Sequence, residues 1–132
     1  MNLFFMIYLG MYYILDNTVY LYGNSIDGFG PKQHSLLITF LFHGINVWSL
    51  VRFSLATYYF IDTSFFVSAA IIGLSLLAGY LFFYKTRVDK LLLVRYTITM
   101  KIISVVVSVV YVTLSAYLML KVGDYVKYQL SN

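Results

Sequence analysis

The stretch Ile102-Ile103-Ser104-Val105-Val106-Val107-Ser108-Val109-Val110-Tyr111-Val112-Thr113-Leu114-Ser115-Ala116-Tyr117-Leu118-Met119-Leu120 decides the fold class. It contains no charge and is bounded by Lys101 and Lys121. A helix rises ~1.5 Å per residue, so these nineteen residues match a hydrocarbon layer of ~30 Å. Inside a bilayer every backbone N–H and C=O must be satisfied within the protein, and a helix does this alone.

Three further apolar segments precede it. Residues 64–84 lie between Asp62 and Lys85 and read as a second transmembrane helix. Residues 35–51 form a third, with Gly30-Pro31 and Ser35 as start signals. Arg52 follows, snorkelling to the membrane surface, yet apolar character continues to Ile61, which leaves a longer helix open. Residues 3–22 form the fourth segment, interrupted by Asp16-Asn17-Thr18. Tyr8, Tyr12, Asp16 and Tyr20 share one face of it. This helix either spans or lies in the interface, and spanning is the favoured reading. The expectation is an all-α integral membrane bundle of four hydrophobic helices, a single membrane domain over residues 1–132.

Composition agrees. The 132 residues are 61% hydrophobic, 20% aromatic and 11% charged, against about 25% charged in a typical soluble domain. A chain this short cannot hide so much apolar surface within itself. The formal net charge of +4 comes from nine Lys and Arg against five Asp and no Glu. Basic residues placed between apolar spans set topology, and nucleic acid is not expected as a partner. Lys85, Arg87, Lys90, Arg95 and Lys101 occupy the connection 85–101, and Lys32 falls on the same side. Arg52, Lys121 and Lys127 fall on the other. The richer side is expected to be cytoplasmic, with the basic stretch touching anionic headgroups. Four spans would then place both termini outside. Met1-Asn2-Leu3 lacks a basic start and no small-residue cleavage site follows, so the first segment reads as retained. Tyr58-Tyr59-Phe60, Phe65-Phe66 and residues 80–84 read as aromatic belts at the membrane surface.

Chemistry is sparse. Cysteine is absent, which removes disulfides, thiolate metal sites and cysteine nucleophiles. His34 and His43 are nine apart, outside metal-helix spacing, so no metal or other cofactor is expected. Thr39, His43 and Asn46 form a polar stripe on the 35–51 helix, which Asp16 would join if the first helix spans. Such a stripe either relays protons or binds a cation, or serves as interhelical packing. Packing is the commoner use. Ala69 and Gly73, Ser75 and Gly79, and the row Ser104, Ser108, Ser115 have the small-residue spacing of helix contacts. No base–nucleophile pair, phosphate loop or continuous pore lining is visible.

The Tyr-rich first helix, Ser35-Leu36-Leu37-Ile38 leading to Gly44-Ile45-Asn46-Val47-Trp48-Ser49-Leu50, residues 82–90, and Val110-Tyr111-Val112-Thr113-Leu114-Ser115 resemble small multi-helix membrane proteins of Bacteroidota-type bacteria. Those proteins carry a Glu- and Lys-rich stretch before the last helix, where this chain has Leu91-Leu92-Leu93-Val94-Arg95. Some resemble immunity partners of secreted toxins. The resemblance implies an immunity-type role and transfers no active residues, while helix-contact surfaces without assembled chemistry point to a non-enzymatic interaction protein, an accessory subunit or immunity-type partner, binding lipid and another membrane protein or itself. A bacterial cytoplasmic membrane is the expected location, an organellar one the alternative. The competing function is an oligomeric channel, transporter or membrane-permeabilising effector using the polar stripe. An intramembrane enzyme is a third class without visible machinery.

Overall fold

Apolar periodicity without breakers over long stretches leaves helices as the elements available, and the computed structural model shows four among the residues it describes. It describes residues 3–18, 30–86 and 95–132. They are α1 (Leu3–Asp16), α2 (Pro31–Tyr59), α3 (Phe65–Thr86) and α4 (Ile98–Ser131). Three of them, α2, α3 and α4, are long and apolar enough to cross a membrane.

Each boundary has a local cause. Pro31 occupies the first turn of α2, where its missing N–H costs nothing, and the Gln33 side chain accepts from the Gly30 N–H at 3.1 Å. Thr97 caps α4 by accepting from the Met100 N–H at 3.3 Å. At the end of α1 the Asn17 side chain donates to the Tyr13 carbonyl at 2.8 Å, and Thr18 donates to Ile14. These bonds take up carbonyls that a further turn would need.

The first helix is therefore shorter over the described residues than the expected 3–22, whose last four residues lie outside them. Its 14 residues reach ~21 Å, short of a full crossing. It does not lie flat on a surface either, because Ile7 to Met11 are buried.

The α2 helix runs unbroken past Arg52 to Tyr59, the longer of the two expected lengths. It stops with Phe60 in the left-handed conformation, φ 53°. The last helix extends well beyond 102–120, to Ser131. Lys121 marks a change of surroundings and not the end of the helix. Val122 and Val126, four apart, continue the buried face and pack on Ala56.

Side-chain contacts give the topology. Phe4 meets Phe40 and His43 while Tyr8 packs on Leu36, so α1 runs opposite to α2. Trp48 bonds Ser68, and Gly44 faces Ser75, so α3 also runs opposite to α2. His43 meets Tyr111 and Phe53 meets Tyr125, so α4 runs parallel to α2. Pro31 and Ile98 thus share one end with the basic residues Lys32 and Lys101. Arg52, Asp62 and Lys121 share the other.

The bundle is inverted relative to a soluble protein. Ser35, Thr39, Ser49, Ser104, Ser108 and Ser115 are all buried, none more than 2% exposed. Large apolar side chains such as Leu74, Ile102, Val106 and Leu114 lie more than half exposed on the outside. In water this arrangement would forfeit the main driving force for folding. In lipid it is the stable one, with small hydroxyl residues letting helices approach and oily ones facing the acyl chains.

A staple closes the α2–α3 turn. The Arg52 guanidinium donates two bonds of 2.6 Å to Asp62, its carbon lying 5.3 Å from the Trp48 ring centroid. Trp48 in turn donates to Ser68 at 2.8 Å. The paired guanidinium, aided by the Thr63 N–H, holds the Asp62 carboxyl below the ordinary carboxylate range. A group lowered in the folded state stabilises above its unfolded value and loses that contribution as pH falls through the folded one. Acidification below about pH 4 should therefore loosen this turn. The pair is partly exposed, so the loss stays within about 1 kcal/mol. Amide exchange at Thr63 should speed up on acidification relative to the intrinsic rate, and Asp62→Asn should abolish that dependence.

Candidate functional site: a polar cluster at mid-span

His43 is the central residue of the stretch 35–51, and Tyr111 is the central residue of 102–120. The two are hydrogen-bonded, Tyr111 Oη to His43 Nδ1. Parallel α2 and α4 thus bring their midpoints into register, and the deepest polar group of each meets the other.

Asn46 lies one turn further along α2. Its amide nitrogen donates to Tyr111 Oη and to Ser115 Oγ, both at 2.9 Å. The Ser115 hydroxyl donates to the Tyr111 carbonyl at 2.8 Å. Tyr111 Oη accepts from Asn46 and has one hydrogen of its own; with that hydrogen on His43 Nδ1, the ring proton stands on Nε2. Phe4 and Phe40 wall the ring, with centroids 5.4 and 5.9 Å away.

One acceptor is left over. Asn46 Oδ1 is buried and has no hydrogen-bond partner among the described residues, and the same holds for Ser49 Oγ and Ser104 Oγ. An unpaired buried acceptor costs about 1–3 kcal/mol. The cluster therefore retains capacity for one more donor beside Asn46.

Other hydroxyls of the seam bond to backbone carbonyls. Thr39 donates to the Ser35 carbonyl at 2.7 Å, and Ser108 to the carbonyls of Ile7 and Ser104 at 2.7 and 2.9 Å. The Ser108–Ile7 bond crosses from α4 to α1. It forms because Gly10 lets the two backbones touch: a Cβ there would stand 2.0 Å from the Ser104 carbonyl oxygen.

No protein family matches this chain, and no curated protein or solved structure is similar to it at a significant level. The geometry carries the functional reading by itself.

The anticipated residues separate into three groups. Thr39, His43 and Asn46 do share one seam, and Ser104, Ser108 and Ser115 line it from α4. Asp16 does not join them. Phe4 is level with His43, and Asp16 lies twelve residues further along an opposed helix, ~18 Å away along the axis. It stands at the Lys32 end because α1 runs antiparallel to α2.

The small-residue pairs on α3 also divide. Ser75 and Gly79 face α2, where a Cβ on Gly79 would meet Phe40 at 2.6 Å. Ala69 and Gly73 do not serve as contacts among the described residues. Ala69 is exposed, and a Cβ on Gly73 would meet nothing within 4 Å. The pairs have identical spacing but sit on different sides of the helix, about 120° apart for Gly73 and Gly79.

Among the topology residues, Lys101 stacks over Tyr13 at 5.0 Å and Arg95 is exposed just before α4. Lys85 lies within α3, while Arg87 and Lys90 lie outside the described residues. Among the described residues no three His, Asp or Glu side chains converge as metal ligands would.

Sequence reasoning missed Tyr111 as the partner of His43, and missed Gly10 and the Arg52–Asp62 pair. The first was within reach, since both residues sit at the centres of their spans.

Proposed function

We propose that this chain is a non-enzymatic interaction protein of a bilayer, acting as an accessory subunit or immunity-type partner of another membrane protein. The observation that carries this is the free flank of α3. Among the described residues that helix packs chiefly against α2, and none of them covers Gly73. Small residues four apart on a lipid-facing flank admit the close approach of another transmembrane helix. The end carrying Lys32, Arg95 and Lys101 faces the cytoplasm, by the bias of basic residues. The carboxyl terminus of α4 then lies outside, and a bacterial cytoplasmic membrane is the setting.

The test is co-purification from native membranes in mild detergent. Gly73→Leu should leave the chain folded, because the position is empty, while most of the co-purifying membrane protein is lost. Recovery of the chain alone in repeated preparations would count against the reading, as would an unchanged partner with Gly73→Leu.

A second reading, an ion- or proton-conducting oligomer, is favoured by one observation: an ionisable His43 at the centre of the span. Ionisable groups at that depth are costly, and ion and proton pathways are among the roles that retain them. Flux through liposomes containing the chain, altered by His43→Ala and Asn46→Ala, would support it. Absence of flux across a range of pH would remove it.

A further inference from the structure

We propose that the groove between α1 and α4 at the Lys32 end is a binding site for an anionic phospholipid. It is open, with a volume of about 430 Å³. Its floor is apolar, formed by Ile14, Ile102, Val105 and Val106, and Lys101 and Asn17 stand at its rim.

Depth is the first argument. Lys101 immediately precedes the uncharged stretch 102–120, so its ammonium stands where hydrocarbon gives way to headgroups. Val105 and Val106 lie ~6–7.5 Å deeper along the helix. The groove therefore begins at phosphate level and runs into the acyl layer. An amphiphile with a charged head and an oily tail fills both parts. A free phosphate ion fills one.

Charge is the second. The Lys101 ammonium lies 5.0 Å from the Tyr13 ring centroid, held beside the groove. Lys101 forms no ion pair among the described residues. Asp16 is the nearest acid in sequence on α1, but it is not part of the groove lining. Among the described residues this end carries Lys32, Arg95 and Lys101 against Asp16, a net positive field. A basic residue near a bilayer surface favours anionic over neutral lipid about fivefold. The occupant is thus a phospholipid with net negative charge, its phosphate on Lys101 and one acyl chain along Val105 and Val106. This site is independent of the α3 flank.

The purified full chain in mild detergent is titrated with dioleoyl phosphatidylglycerol, dioleoyl phosphatidylcholine or inorganic phosphate, and retained molecules are counted by native mass spectrometry. Phosphatidylglycerol should be retained about fivefold more tightly than phosphatidylcholine. Lys101→Gln should bring it down to the phosphatidylcholine level. Val106→Trp, at an exposed position that tolerates a larger side chain, should fill the floor and weaken both lipids. Lys121→Gln, at the other end of the same helix, should behave as the native chain. Equal retention of the two lipids, no effect of Lys101→Gln and Val106→Trp, or displacement of lipid by inorganic phosphate at equal concentration would each overturn the proposal.

Discussion

Gly10→Ala should detach α1 from the bundle. The added methyl would stand 2.0 Å from the Ser104 carbonyl oxygen, 2.5 Å from its carbonyl carbon and 2.1 Å from Ser108 Oγ. Two of those atoms belong to the α4 backbone, which cannot turn aside as the tip of a side chain can. Overpacking in a tight core costs about 1–3 kcal/mol and more where backbone must move. Here separation of the helices also breaks the Ser108–Ile7 bond and uncovers Ile7 and Leu9. The expected loss is therefore at or above the top of that range, enough to free a helix of only 14 residues. A Cys pair at Ile7 and Ser108 reports it directly. Oxidative cross-linking should be efficient in the Gly10 background and nearly absent with alanine. Gly73→Ala, the same change on an open helix flank, should leave folding unaltered.

Asn46→Leu should have the second largest effect, because the Asn46 side chain binds both Tyr111 and Ser115. Interhelical hydrogen bonds in membrane proteins contribute about 0.6 kcal/mol on average and up to about 1.7. Asn46 makes two, and leucine leaves the Ser115 and Tyr111 oxygens without their donor. A cost of about 1–2 kcal/mol is expected, in spite of the relief of the unpaired Oδ1. A double-mutant cycle with Tyr111→Phe isolates the shared part, which should exceed 0.5 kcal/mol for groups in direct contact. The histidine ring supplies an independent readout. Nitrogen chemical shifts should place the His43 proton on Nε2 in the native chain. Tyr111→Phe removes the donor to Nδ1 and should allow both tautomers. A network with Tyr111 accepting from His43 would give the opposite native tautomer.

The hydrophobic stretches revealed the fold class because lipid imposes a length and an oily surface that few other environments demand. Where the reading fell short, one kind of signal had two meanings. Arg52 and Lys121 both stand at the edge of the apolar layer; past Arg52 the sequence leaves two helix lengths open, and at Lys121 it reads as an end. A helix has no need to stop there, and both continue because Ala56, Val122 and Val126 give the projecting turns a face to bury. Asp16 joins the stripe only if the first helix carries it to mid-span, and the antiparallel α1 places it at the Lys32 end instead. The small residues of α3 were unreadable in principle: spacing shows that Ala69 and Gly73 can approach a helix, but which helix lies there is a property of the packed bundle. The polar seam was half legible. Thr39, His43 and Asn46 are separated by turns of one helix, whereas their pairing with Ser104, Ser108, Tyr111 and Ser115 needs the register of α2 on α4.

The chain has no native cysteine, so single cysteines placed at Ser64, Thr97, Leu114 and Asn132 can be labelled with a membrane-impermeant maleimide in sealed vesicles. Leu114 decides the matter, since it is 61% exposed on the protein surface and only lipid can shield it. Ser64 and Asn132 should label from one side, Thr97 from the other, and Leu114 from neither. Labelling of all four from a single aqueous phase would contradict a bundle whose oily exterior faces a bilayer.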